Sequence, residues 1–180
     1  MAESNLASGV THSMPSWRRV AELEDLAEIF DPAVQVCSWR REIDPALQVD
    51  LSQLHPTREV QRIENLLASQ QPTLDDLPGG VAPAPLIGDL ALLREIVCEL
   101  LGCVEVGLRF VRIGHAMCPG WHVDRTGIRL VCTYQGPGTQ WLDDQSVDRS
   151  DLRSDHLSEG EFIEAAPGEI VLLKGSLWQN

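Results

Sequence analysis

The feature that most constrains this chain is a change of hydrophobic period at Gly102. Before it, Leu90, Leu93, Ile96, Val97 and Leu100 recur at helical spacing. After it, Val104, Val106, Leu108 and Phe110 alternate with Glu105, Gly107 and Arg109, the period of a strand. Glycine just past the last periodic residue is the usual helix stop, because it adopts positive φ without steric cost. A chain patterned in this way reads as α+β, with a helical N-terminal half packed on a β-rich C-terminal half. Its 180 residues are enough for one domain with a real core.

The pattern divides the chain further. Residues 1–15, rich in Ser and Ala, read as a flexible leader. Residues 16–180 read as a single domain, mainly helical over 16–101 and β-rich over 103–180. Ser16 offers an N-cap to a helix from Trp17 to Phe30, carried by Val20, Leu23, Leu26, Ala27 and Phe30 and stopped by Asp31-Pro32. Val34 to Trp39 reads as a short strand. Asp44-Pro45 opens a second helix, and Val60, Ile63, Leu66 and Leu67 mark a third. The Pro- and Gly-rich stretch 72–88 reads as a loop. Ile128 to Cys132 and Ile170 to Leu173 read as strands, and the acidic stretch from Asp143 to Glu161 as an exposed loop.

Charge narrows the function classes. Asp plus Glu is 27 against 14 for Lys plus Arg, a net charge of −13. Such a surface repels phosphate backbones and anionic lipid, so neither nucleic acid nor membrane is an expected partner. No secretory signal is visible, and five scattered cysteines form no CxxC pair. Reduced thiols and a cytoplasmic location are expected. Phosphate-binding glycine loops and the G-x-S-x-G elbow of serine hydrolases are absent from the sequence.

The chemistry is concentrated in Cys118-Pro119-Gly120-Trp121-His122-Val123-Asp124. On an extended chain, residues i and i+2 share a face about 6.6 Å apart. His122 and Asp124 can therefore grip one divalent ion, looking inward from the mouth of a β-barrel. A third ligand from a neighbouring strand would complete a 2-His-1-carboxylate face with positions open for substrate and dioxygen. His115 and Cys118 are further candidate ligands, and the four together would make a tetrahedral zinc site. Arg129 and Tyr134 are candidates for holding an acidic co-substrate. Trp121 and Trp141 flank the segment, and Lys174 before Gly175 reads as a turn residue.

The order of these pieces is similar to the double-stranded β-helix of iron(II)/2-oxoglutarate oxygenases: HxD, a strand from Ile128 to Tyr134, the turn Gly136-Pro137-Gly138-Thr139, then Pro167-Gly168-Glu169-Ile170-Val171-Leu172-Leu173. The run from Cys118 to Trp141, with the later Ile170 to Trp178, resembles a bacterial family of uncharacterised proteins, the domain-of-unknown-function family numbered eighteen twenty-six. That resemblance covers most of the chain and is most specific between Arg109 and Trp141. It implies a His-Arg-Ser-Pro segment after the last strand, whose histidine would be the third ligand by analogy with the oxygenases. It also implies a link to zinc-responsive gene neighbourhoods. This chain ends at Trp178-Gln179-Asn180, before such a segment. The expected fold is thus a helical half packed on an incomplete jelly-roll or cupin-like β-helix. The leading expectation is an oxygenase-like metalloprotein, binding Fe(II) or another divalent ion with 2-oxoglutarate and a small-molecule substrate. A non-catalytic Zn(II)-binding protein of metal homeostasis is the alternative, and an inactive truncated scaffold a third.

Overall fold

The run Ile170-Val171-Leu172-Leu173 has no polar alternation, which demands cover on both faces. In the computed structural model, which describes residues 14–47, 60–67, 69–72, 84–112, 114–115, 118, 120–149 and 162–179, it receives that cover. The strands are β1 (Trp17–Val20), β2 (Val36–Trp39), β3 (Val60–Leu67), β4 (Glu105–Arg112), β5 (Ile128–Cys132), β6 (Gln140–Trp141), β7 (Ile163–Glu164) and β8 (Ile170–Lys174). A four-stranded sheet runs in the order β1-β2-β8-β5, with β1 parallel to β2 and the other pairs antiparallel. β3 pairs with β4, and β6 with β7, as separate antiparallel ribbons.

Parity sends the two faces of the sheet to different clusters. Cys37, Ile170 and Leu172 face the main core, with Ile128, Leu130 and Cys132 packed at its edge. Helix α1 (Ala84–Leu101) lays Leu86, Leu90, Leu93 and Ile96 on that side, and a 3-10 helix (Glu24–Phe30) adds Leu26 and Ile29. Val36, Val171 and Leu173 face the other way, where Trp141, Ala165 and Ile163 from the β6–β7 region cover them with Trp17. Each fully buried leucine or isoleucine contributes about 1.5–3 kcal/mol relative to exposure, so β8 is the hinge of both clusters.

The structure revises the N-terminal half: among its described residues α1 and the 3-10 helix share it with strands β1, β2 and β3, so a helical half is not shown. Residues 17–20 form a strand because β2 offers a parallel partner, pairing Trp17 with Val36 and Val20 with Trp39. Ser16 does not cap a helix. Its hydroxyl donates to Asp143 Oδ1 at 2.9 Å and accepts from the Asp144 amide at 3.0 Å. Only Glu24–Phe30 coils, as a 3-10 helix ending where Asp31 turns extended. Residues 60–67 are strand β3 rather than helix, in register with β4 from Val60↔Arg112 to Leu67↔Glu105. A local 3.6-residue spacing lost to a long-range backbone partner in both places.

Strand is not confined to 103–180, since β1 and β2 share one sheet with β5 and β8. What stands is a mixed α/β architecture. The described strands form one four-stranded sheet and two ribbons, with the β1–β2 pair parallel, and a jelly-roll is not shown. The helix over Leu90–Leu100 begins earlier, at Ala84, so 84–88 are helical rather than loop. Pro85 is accommodated in the first turn, where its missing N–H costs nothing. Gly102 ends the helix at φ 61°, as its position implies. Asp44 receives the Ala46 amide at 2.8 Å and starts a helical turn at 45–47; the rest of that expected helix, the leader 1–13 and most of the acidic stretch, 150–161, lie outside the described residues.

Candidate functional site

Residues 121–124 lead through a bend at 125–127 into β5, and they are tied to the chain that leaves β8. Gly175 N donates to Gly127 O at 2.8 Å, Ser176 N to Asp124 O at 2.8 Å, and Leu177 N to Thr126 O at 3.0 Å. A Cβ on Gly175 would lie 2.2 Å from the Thr126 carbonyl oxygen and 2.8 Å from that of Asp124, so only glycine permits this approach. The result fixes the backbone beneath the His-x-Asp motif.

On that backbone the two side chains share a face. His122 Nε2 lies 3.3 Å from Asp124 Oδ1, and Arg129 Nη1 lies 3.1 Å from Asp124 Oδ2. His122 Nδ1 lies 3.0 Å from the Gly120 carbonyl oxygen. The cluster is open: the His122 side chain is 50% exposed, Arg129 44% and Asp124 20%. It therefore sits at the surface, not inside a barrel mouth as the sequence suggested. Trp121 stacks near Phe162, ring centroids 6.2 Å apart, while Trp141 is buried in the second cluster.

The other candidates are not gathered here. Cys118 and His115 are exposed, and among the described residues there is no group of three or more His, Cys, Asp or Glu side chains placed to hold a metal ion. The four-ligand site of His115, Cys118, His122 and Asp124 is not assembled. Arg129 and Tyr134 do not converge either. Arg129 pairs in register with Leu173, which packs in the second cluster, while Tyr134 packs against the main core. The two side chains thus serve different clusters.

Tyr134 belongs to a buried cluster that the sequence did not reveal. Its hydroxyl donates to Asp89 Oδ2 at 2.5 Å. Arg41 grips the same carboxylate with two prongs, Nη1 to Oδ1 at 2.5 Å and Nη2 to Oδ2 at 2.7 Å. Arg41 Nε donates to Gly168 O at 3.0 Å, and Nη2 lies 3.7 Å from Cys132 Sγ. Burial alone would raise the Asp89 pKa, but the hydrogen bonds from Arg41 and Tyr134 outweigh it and hold the carboxyl below its usual range. Burial pushes the Cys132 thiol up to about 11, against the pull of Arg41. Tyr134 is likewise raised by burial. The one available signal was Asp89 itself, a carboxylate on the α1 stripe that runs Leu86, Leu90, Leu93.

Two more charged groups are buried near β8. Glu169 is fully buried; burial opposes its charge, but the Ala166 amide at 2.9 Å and Arg19 Nε at 2.7 Å lower its pKa overall. Lys174 is a strand residue, not a turn residue. Its ammonium donates to Asp31 O at 2.8 Å and lies 5.5 Å from the Trp178 ring centroid, and burial lowers its pKa. A cavity of about 30 Å³ between the 3-10 helix, α1, β5 and β8 is lined by Ile29, Val97, Leu100, Leu101, Ile128, Leu130 and Leu172. With that size and lining it is a packing gap, not a substrate site.

Fold and surface together define a mixed α/β protein with an exposed imidazole–carboxylate–guanidinium cluster. The chain belongs to the family described as "Protein of unknown function (DUF1826)", which it matches over residues 21–180. The recognition drawn from the motifs is corrected on one point: it joined the chain to the iron(II)/2-oxoglutarate oxygenases, and the family matched carries no described activity. No curated protein and no solved structure matches the chain. Among the described residues, no helix is long and apolar enough to cross a membrane.

Proposed function

We propose that this protein binds a divalent cation at the surface through His122 Nε2 and the Asp124 carboxylate. One observation carries the reading. The Gly120 carbonyl oxygen only accepts hydrogen bonds, so the Nδ1 facing it at 3.0 Å bears the ring proton. In the neutral imidazole, Nε2 then presents a lone pair to Asp124 Oδ1 at 3.3 Å. Two lone pairs facing one another repel unless a positive charge lies between them. A histidine whose second nitrogen is tied to a backbone carbonyl is also the usual form of a metal ligand. Arg129 holds the other carboxylate oxygen and fixes its direction.

Two protein ligands leave the remaining coordination positions to solvent or substrate, where a bound cation would supply Lewis acidity. Nitrogen and oxygen donors suit Zn(II) and Fe(II) alike, so both the metal-homeostasis and the oxygenase expectations start from this pair. The 2-oxoglutarate expectation loses its support from Arg129 and Tyr134, which serve Asp124 and Asp89 instead.

Titration calorimetry of the metal-free chain with Zn(II) and, anaerobically, with Fe(II) tests the proposal. One ion per chain is expected, with at least tenfold weaker binding in His122→Ala and in Asp124→Asn. Absence of stoichiometric binding, or unchanged binding in both variants, identifies the cluster as an imidazolium–carboxylate ion pair and overturns the proposal.

A further inference from the structure

The helix stop at Gly102 brings two cysteines together. When a residue of positive φ ends a helix, the next side chain folds back onto the one five positions earlier. Here those residues are Cys103 and Cys98. Their sulfurs lie 3.9 Å apart, and Cys103 Sγ also lies 3.9 Å from the Val97 carbonyl oxygen. Both thiols are free; Cys98 is buried and Cys103 is partly exposed. Nothing lies within 4 Å of the position a Gly102 Cβ would take, so the turn between them is unobstructed.

We infer that Cys98 and Cys103 form a peroxide-driven, reversible disulfide that locks the end of α1 to the entry of β4. Closing the sulfurs from 3.9 Å to the bonded distance of about 2.0 Å is within the reach of side-chain rotation. Solvent meets Cys103 first. Its thiolate attacks a hydroperoxide oxygen, the O–O bond breaks, and a sulfenic acid and water (or an alcohol) result. The Cys98 sulfur then attacks the Cys103 sulfur, the S–O bond breaks, and the departing hydroxide takes up the thiol proton as water. Two thiols lose two electrons and the peroxide gains them. A dithiol reductant reverses the step. The bond would hold the last turn of α1, whose Val97, Leu100 and Leu101 line the apolar cavity against β5 and β8.

Peptide mapping of the full chain tests this directly. Trypsin cleaves after Arg94 and Arg109, so both cysteines leave on the one peptide 95–109. After mild hydrogen peroxide and alkylation, that peptide is expected to lack alkyl groups and to have lost about 2 Da, both reversed by dithiothreitol. Cys103→Ser abolishes the loss, and Cys118→Ser leaves it unchanged. A fully alkylated peptide, a sulfinic acid at Cys103, or linkage of either sulfur to another cysteine overturns the inference.

Discussion

Arg41 and Arg129 each reach a carboxylate beside the same sheet, and their surroundings make the two pairs opposite in kind. The side chains of Arg41 and Asp89 are only 7% and 11% exposed, and the carboxylate accepts from both guanidinium nitrogens and from Tyr134. Arg129 is 44% exposed and touches one oxygen of Asp124, whose other oxygen faces an imidazole nitrogen. The inner cluster is saturated and joins the segment before 45–47, α1, the end of β5 and the 167–168 turn. Its role is to hold those pieces in place. In the proposed reading the outer cluster keeps a lone pair free at a solvent-open position, which is what binding a cation requires. Composition does not separate the two; saturation and burial do.

The largest effect expected from this contrast is on the inner pair. Asp89→Ala leaves a buried guanidinium without its counter-charge and should cost about 3–5 kcal/mol in urea unfolding. A loss under about 1 kcal/mol would show that water reaches the site and that the contrast is false. Acid is the next lever. Asp89 and Glu169 both have pKa values lowered by folding, so the unfolded chain takes up protons first as pH falls. Their contribution is full above the ordinary carboxylate pKa of about 4 and is lost as pH drops through the lower folded values. The urea midpoint should therefore fall steeply below about pH 4, with a shallower slope in Asp89→Asn; equal slopes would remove Asp89 from the account. The smallest effect belongs to the outer pair. Arg129→Gln should change stability by less than about 1 kcal/mol, yet tighten cation binding about fivefold by removing a competing charge. Weaker binding in that variant would mean that Arg129 orients Asp124 more than it neutralises it.

How much of this was legible depended on the range of the interactions. α1, its stop at Gly102, β2, β5 and β8 announce themselves through local period and turn residues. β1 and β3 do not, because Val20 and Leu23, or Ile63 and Leu66, fit a helix equally well until β2 and β4 supply backbone partners. The His122–Asp124 proximity followed from i, i+2 geometry, but its surface position did not, since exposure depends on the whole sheet. Arg41, Asp89 and the Cys132–Tyr134 pair come from three separated stretches, and no local pattern names them as neighbours.

β8 is followed by Gly175, whose amide and missing side chain let the next residues lie flush against the carbonyls of Asp124 and Thr126. The arm bearing the imidazole and the central strand's exit are thereby zipped into one mechanical unit. Trp178 rides on that unit, with its ring centroid 5.9 Å from that of Phe30. Opening that seam would part the Trp178 indole from Phe30, so a spectroscopic change at this ring is its expected sign.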